Sequence, residues 1–188
     1  TKEAITTNQT KDEVCVLNYE DEVLRAFGES APVHVVWFSS ARKLAEGFYL
    51  DGEEIFYAHD GNTEKVINVN DLNLLGRHNY ENVMAATAMS VNFGVPMEKI
   101  VEVLKRFQAV EHRIEYVTEK RGVRFYNDSK GTNPDAAIKG IQAMNRPTLL
   151  IGGGYDKESS YDEWIESFDG KVRYLVLIGQ TKEKIKAA

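Results

Sequence analysis

The stretch Phe125-Tyr126-Asn127-Asp128-Ser129-Lys130-Gly131-Thr132-Asn133-Pro134 decides how the second half of this chain folds. Residues 123–126 read as a strand, and the polar residues after them as a loop. Asn133-Pro134-Asp135 then reads as a helix start, with a capping side chain, a proline at the first helical position and an acid on the positive end of the helix dipole. That helix runs to about Met144. Strand, polar loop and capped helix in succession form the unit of an open α/β sheet. Such sheets bind ligands at the carboxyl ends of their strands, where amides of the next helix start face the crevice. Asp128 could accept from ribose hydroxyls there, and Lys130 and Thr132 could hold an anion. The plainer reading is a solvated turn closed by an asparagine cap, and spacing alone does not separate the two.

Downstream, Thr148-Leu149-Leu150-Ile151 and Tyr174-Leu175-Val176-Leu177-Ile178 are continuous apolar runs, each followed by glycine. They are expected to be parallel strands covered on both faces, so the second unit reads as a small doubly wound sheet. Ile151-Gly152-Gly153-Gly154-Tyr155-Asp156-Lys157 leaves the first of these strands, and its glycines let an anionic ligand approach the backbone. It is not a Walker loop, and no G-x-x-x-x-G-K-[ST] run occurs in the chain. Lys157 is therefore better placed to bind a substrate carboxylate than a nucleoside triphosphate, with Asp156 as an orienting neighbour; a plain surface lysine is the alternative.

Upstream, residues 113–119 and 123–126 read as strands around Lys120-Arg121-Gly122, and the domain boundary falls near Gln108, giving units 1–108 and 109–188. The first unit is also α/β. Residues 14–17 and 33–38 are strands separated by a short helix over 20–27, and 47–50 and 55–58 form a hairpin about Asp51-Gly52-Glu53-Glu54. A helix from Asn79 to about Phe93 ends at Gly94, and a second runs from Pro96 to Phe107.

Composition narrows the function. The chain has 188 residues, 43% of them hydrophobic, which is enough for a real core. A formal charge of -6 with no dense Lys/Arg cluster argues against a nucleic-acid partner. Cys15 is the single cysteine, so neither a disulfide framework nor a paired-cysteine zinc site can be built, which fits a reducing compartment. No apolar run reaches the roughly 18 residues of a membrane span. Both ends are expected to be arbitrary, Thr1 as mid-domain chain and residues 181–188 as an opened helix.

Two further segments carry candidate chemistry. His78-Asn79-Tyr80-Glu81-Asn82 opens a helix, and Asn79 and Asn82 share a face where side-chain amides suit an adenine edge, unless His78 or Asn79 is simply the cap. Glu111-His112-Arg113 sits at the domain boundary, where the guanidinium could reach across the cleft to a phosphate or else form a hinge salt bridge. His34 and His59 are isolated and suggest no metal site. Trp37 and the aromatic residues of the hairpin read as core.

In this order, His78-Asn79-Tyr80-Glu81-Asn82, His112-Arg113, Asn127-Asp128-Ser129-Lys130-Gly131-Thr132-Asn133 and Gly152-Gly153-Gly154-Tyr155-Asp156-Lys157 resemble the Mur ligase family. The Asp128-Ser129-Lys130 sequence is similar to the D-glutamate-adding branch; sibling ligases and folylpolyglutamate synthases carry Asp-Tyr-Ala-His-like or Asp-Gly-Ala-His-like sequences there. Gly131 stands where that branch has alanine, a change expected to loosen the turn without altering its chemistry.

The resemblance implies the latter part of the family's central ATPase domain over 1–108, followed over 109–188 by the first part of a truncated Rossmann-like doubly wound C-terminal domain. It implies ATP binding by Asn79 and Asn82 near adenine, Arg113 toward the phosphates and Asp128 toward the ribose. Lys130 and Thr132 would lie between acyl phosphate and amino acid, and Lys157 would hold a D-glutamate carboxylate. Lys130 and Arg113 are the implied catalytic residues, and Mg2+ ligands are expected outside this chain. The implied substrates are UDP-N-acetylmuramoyl-L-alanine and D-glutamate, in a cytoplasmic, monomeric enzyme of peptidoglycan synthesis. Two alternatives stay open, a sibling ligase and, for these residues alone, a noncatalytic nucleotide- or amino-acid-binding module.

Overall fold

The computed structural model describes residues 2–188, which divide into two compact units, the first ending at Gln108 and the second beginning at Ala109. In the first, β1 (Val14–Asn18), α1 (Glu22–Ser30) and β2 (His34–Ser39) form a parallel crossover, and β3 (Gly47–Asp51) lies parallel to β2. β4 (Glu54–His59) and β5 (Asn62–Asn68) complete the sheet as antiparallel strands in the order β1-β2-β3-β4-β5. Asp21 caps α1 by accepting from the Leu24 amide at 3.0 Å, which moves the helix start two residues beyond the expected Glu20. β5 was not anticipated. Its signal is Asp60-Gly61, whose φ angles of 51° and 73° make the left-handed turn that joins two antiparallel strands.

α2 (Arg77–Asn92) packs Val83, Met84, Thr87 and Ala88 into the core, and α3 (Met97–Arg106) follows with Ile100 buried. Phe48 and Ile55 of the sheet are fully buried beneath them. Full burial of side chains this size stabilises by about 1.5–3 kcal/mol each, so the sheet-to-helix layer is what holds α2 in place. The helix begins earlier than Asn79 because Gly76, at φ 93°, is its N-cap.

In the second unit, β6 (Glu115–Lys120) and β7 (Val123–Asn127) form an antiparallel ribbon. β6 begins two residues later than the expected Arg113, because His112 and Ile114 take left-handed backbone angles of 68° and 47° that a strand does not admit. α4 (Pro134–Gln142) is capped by Asn133, which accepts from the Ala136 amide at 2.8 Å. β8 (Thr148–Gly154), α5 (Asp162–Glu166) and β9 (Val172–Gly179) make a parallel crossover, and α6 (Lys182–Ala187) packs on both strands. Trp164 of α5 lies so close to Gly152 that any Cβ there would stand 2.7 Å from its ring.

In this unit one face of the β8–β9 pair is apolar and exposed. Ile151 is 63% and Tyr174 71% exposed, and Leu149, Val176 and Ile178 share their face. Trp164 of α5 packs against the opposite face, at Gly152 and Leu175.

Candidate functional site

The loop after β7 is built by its own backbone. The Gly131 amide donates to the Asp128 carbonyl at 2.8 Å and the Thr132 amide to the Lys130 carbonyl at 2.8 Å, while the Ser129 amide donates to the Asn127 side chain at 3.1 Å. Three bonds then fasten the loop to the turn at 112–114. The Lys130 amide donates to the His112 carbonyl at 2.9 Å, the Ile114 amide to Asp128 Oδ1 at 3.0 Å, and Asn127 Nδ2 meets His112 Nδ1 at 2.8 Å. The result gathers Arg113, Asp128, Lys130 and Thr132 about one strand end, with the Arg113 and Lys130 side chains exposed.

Lys157 joins them. It lies just past Gly153 and Gly154, whose φ angles of 119° and 147° suit glycine, and its Nζ donates to the Thr132 carbonyl at 3.1 Å. Asp156 does not orient it; that carboxylate accepts from the Glu158 amide at 2.9 Å and pairs with Lys184 at 3.4 Å. Within the second unit no ion pair of the Arg113 guanidinium is formed among the described residues, and Glu115 accepts from the His112 amide at 2.8 Å. Three cations presented from adjoining loops can bind a multiply charged anion and stabilise negative charge that develops on it.

Asn79 and Asn82 lie in the first unit, on the first turns of α2. Asn82 Nδ2 approaches Asn79 Oδ1 at 3.5 Å, and Asn79 Nδ2 donates to the Leu75 carbonyl at 2.7 Å, so neither Asn79 nor His78 is the helix cap. Asn82 is exposed, and its side-chain oxygen is an acceptor by nature. The start of α2 is fastened to the end of β2 by residues that sequence reasoning missed: Ser40 donates to Glu81, and Arg77 donates to the Ser40 carbonyl. Beside them Ser39, fully buried, donates to Glu20 at 2.6 Å, and Arg42 forks onto the same carboxylate at 2.9 and 2.8 Å. The Arg42 guanidinium, more than any other neighbour, holds the Glu20 carboxyl below the usual carboxylate range, against the opposing effect of burial. Paired Ser-Ser after a strand was the only available signal for this junction, and it is a weak one.

Among the described residues no group of three or more His, Cys, Asp or Glu side chains could hold a metal ion, and no helix is long and apolar enough to cross a membrane.

Residues 1–90 match the family described as Mur ligase middle domain, and residues 112–188 that described as Mur ligase, glutamate ligase domain. The chain is 56% identical over 98% of its length to the UDP-N-acetylmuramoylalanine–D-glutamate ligase of Lachnoclostridium phytofermentans, covering 40% of that protein. It is 57% identical, again over 98%, to the enzyme of the same name from Lachnospira eligens, covering 41% of it. The chain thus spans about two fifths of the length of these curated relatives. Two solved structures share the fold: the UDP-N-acetylmuramoylalanyl-D-glutamyl-2,6-diaminopimelate–D-alanyl-D-alanyl ligase of Acinetobacter baumannii (TM-score 0.69, 20% identity, 95% of this chain and 41% of that one) and the folylpolyglutamate synthetase of Lactobacillus casei (TM-score 0.55, 14% identity, 98% and 50%).

Proposed function

From the premise that this chain belongs to the Mur ligase family, we propose that the protein carrying it adds D-glutamate to UDP-N-acetylmuramoyl-L-alanine at the expense of ATP, in the cytoplasm and as a monomer. One observation carries the choice of substrate. Relatives named as D-glutamate ligases match nearly the whole chain at 56–57% identity, whereas the folylpolyglutamate synthetase likeness, at 14%, is one of fold.

In this reading the γ-phosphoryl group of ATP passes to an oxygen of the alanyl carboxylate and ADP departs. The D-glutamate amine then attacks the acyl carbon, the C–O bond to phosphate breaks, inorganic phosphate leaves and the nitrogen loses its proton. Asn79 and Asn82 take the adenine, Asp128 lies toward the ribose and Arg113 toward the phosphates. Lys130, exposed at the strand end, offsets the charge of the acyl phosphate and of the tetrahedral intermediate, with Thr132 beside it. Lys157 holds a D-glutamate carboxylate. Within the second unit, the gathering of Asp128, Lys130 and Thr132 with the turn that carries Arg113 and with Lys157 supports the assignment of those residues. The Mg2+ that accompanies ATP would be held by residues outside this chain and would offset charge on the phosphates.

A second reading applies to residues 1–188 by themselves. Without a G-x-x-x-x-G-K-[ST] run they form a noncatalytic nucleotide- or amino-acid-binding module. Amino-acid-dependent phosphate release decides between branches. The full-length protein, given ATP and UDP-N-acetylmuramoyl-L-alanine, should respond to D-glutamate and not to L-alanine or diaminopimelate; a preference for either of the others would overturn the assignment.

A further inference from the structure

β8 and β9 touch backbone to backbone where they leave the sheet. A Cβ on Gly153 would stand 2.1 Å from the Ile178 carbonyl oxygen, and one on Gly179 would stand 2.7 Å from the Gly154 Cα, so only glycine fits at these two places. One side chain closes the junction. Thr181 is 2% exposed, and its hydroxyl accepts from the Gly154 amide at 3.1 Å and donates to the Gly154 carbonyl at 3.5 Å. The same carbonyl accepts from the Gln180 and Thr181 amides at 2.8 and 3.2 Å. A buried hydroxyl is costly unless it is hydrogen-bonded, and here Gly154 meets both its donor and its acceptor role. Two residues on, the Asp156 amide donates to Gln180 Oε1 at 3.3 Å. Lys157 comes next in the chain, with its ammonium on the Thr132 carbonyl at 3.1 Å. The cation is thus held at its tip by the loop after β7 and at its root by the residues after β9.

We infer that Thr181, with Gln180 beside it, positions Lys157: the buried hydroxyl clamps Gly154 at the root of the loop and so sets where the ammonium meets the amino-acid carboxylate. The inference rests on the ligase reading, in which Lys157 holds D-glutamate. It adds to that reading a residue that acts through Lys157 and touches neither substrate.

A double-mutant cycle in the full-length enzyme tests it, with KM and kcat measured for D-glutamate and for ATP. Thr181→Val, which keeps the shape of the side chain and removes the hydroxyl, should raise the D-glutamate KM by roughly tenfold, the scale of leaving one amide unpaired. The ATP KM should change by less than about twofold. In a Lys157→Ala background the same change should add less than about threefold, because coupled residues are non-additive. Thr181→Ser, which keeps the hydroxyl, should recover most of the loss. Gln180→Ala, a milder change at an exposed residue, should raise the D-glutamate KM selectively by about two- to fivefold. Losses that multiply in the double variant would make Thr181 and Lys157 independent and overturn the inference; equal rises in both KM values would overturn it as a general loss of structure. Amide hydrogen exchange at Gly154 gives a readout independent of turnover: protection should fall in Thr181→Val and persist in Thr181→Ser, and unchanged protection in Thr181→Val overturns the clamp. If the wild-type enzyme released no phosphate in response to D-glutamate, the ligase reading would fail, while exchange at Gly154 would still decide whether Thr181 holds the loop.

Discussion

The ammonium of Lys157 donates to the main-chain carbonyl of Thr132 at 3.1 Å, tying the loop after β8 to the loop after β7. A lysine has three donors, so this bond fixes the position of the cation and leaves others for a ligand. A dicarboxylic amino acid must shed water from its carboxylate to bind, and a prepositioned cation offsets that cost.

Lys157→Ala in the full-length protein is therefore expected to raise KM for D-glutamate by roughly tenfold to several hundredfold, the scale of one charge-assisted bond, with KM for ATP little changed. Steady-state kinetics with each substrate varied in turn measure this, with thermal melting to check folding. Equal losses for both substrates, or none, would remove Lys157 from the site.

Lys130 is exposed and its amide is anchored to His112, so its side chain starts from a fixed point. If, as proposed, its charge matters most as the acyl phosphate and the intermediate form, Lys130→Ala should lower kcat by on the order of hundredfold or more. A wild-type kcat with only a raised KM for ATP would make Lys130 a binding residue.

Gly140→Ala tests the packing around Asp128. Replacing a helix-interior glycine by alanine ordinarily stabilises by about 0.5–1 kcal/mol. Here the new methyl would stand 2.7 Å from Asp128 Oδ2. The melting temperature should therefore fail to rise and the ATP KM should increase. A clear gain in melting temperature with unchanged kinetics would show that the carboxylate moves aside freely.

The Glu20 carboxyl, held low chiefly by Arg42, gives a pH prediction. A carboxylate with a depressed folded-state pKa stabilises the fold above its unfolded value and loses that contribution as pH falls through the folded one. Glu20→Gln should thus melt below wild type at pH 7, with the gap closing once pH drops below the unfolded glutamate value of about 4.3. A gap independent of pH would assign the loss to packing.

Much of this architecture is legible in local sequence. Asn133-Pro134-Asp135 marks the start of α4, and the Gly52 turn marks the β3–β4 hairpin, because caps and turns are decided by residues within a few positions of each other. Asp60-Gly61 was equally legible as a turn, but β5 after it alternates weakly, its first four residues being exposed, and carries little apolar signal. The left-handed Ile114 could not be read locally, since the group that holds it, Asp128, lies 14 positions later in the chain. The Ser40–Glu81 bond spans 41 positions and is likewise a product of tertiary packing. The gathering of Lys157 with Thr132 follows from the parallel crossover, which no spacing rule places to within a hydrogen bond. One expectation about the site changes with the structure. Alanine at position 131 would press on the Asp128 carboxylate, so glycine there is a matter of room as well as of turn flexibility.

The most direct test of the central claim is an oxygen-transfer measurement on the full-length protein. UDP-N-acetylmuramoyl-L-alanine labelled with 18O in its alanyl carboxylate is incubated with ATP and D-glutamate, and the released phosphate is analysed by mass spectrometry. If the carboxylate is activated as an acyl phosphate and then displaced by the D-glutamate amine, phosphate carrying one 18O should accumulate in step with the amide product. Unlabelled phosphate, or label release without D-glutamate in the product, would contradict the account.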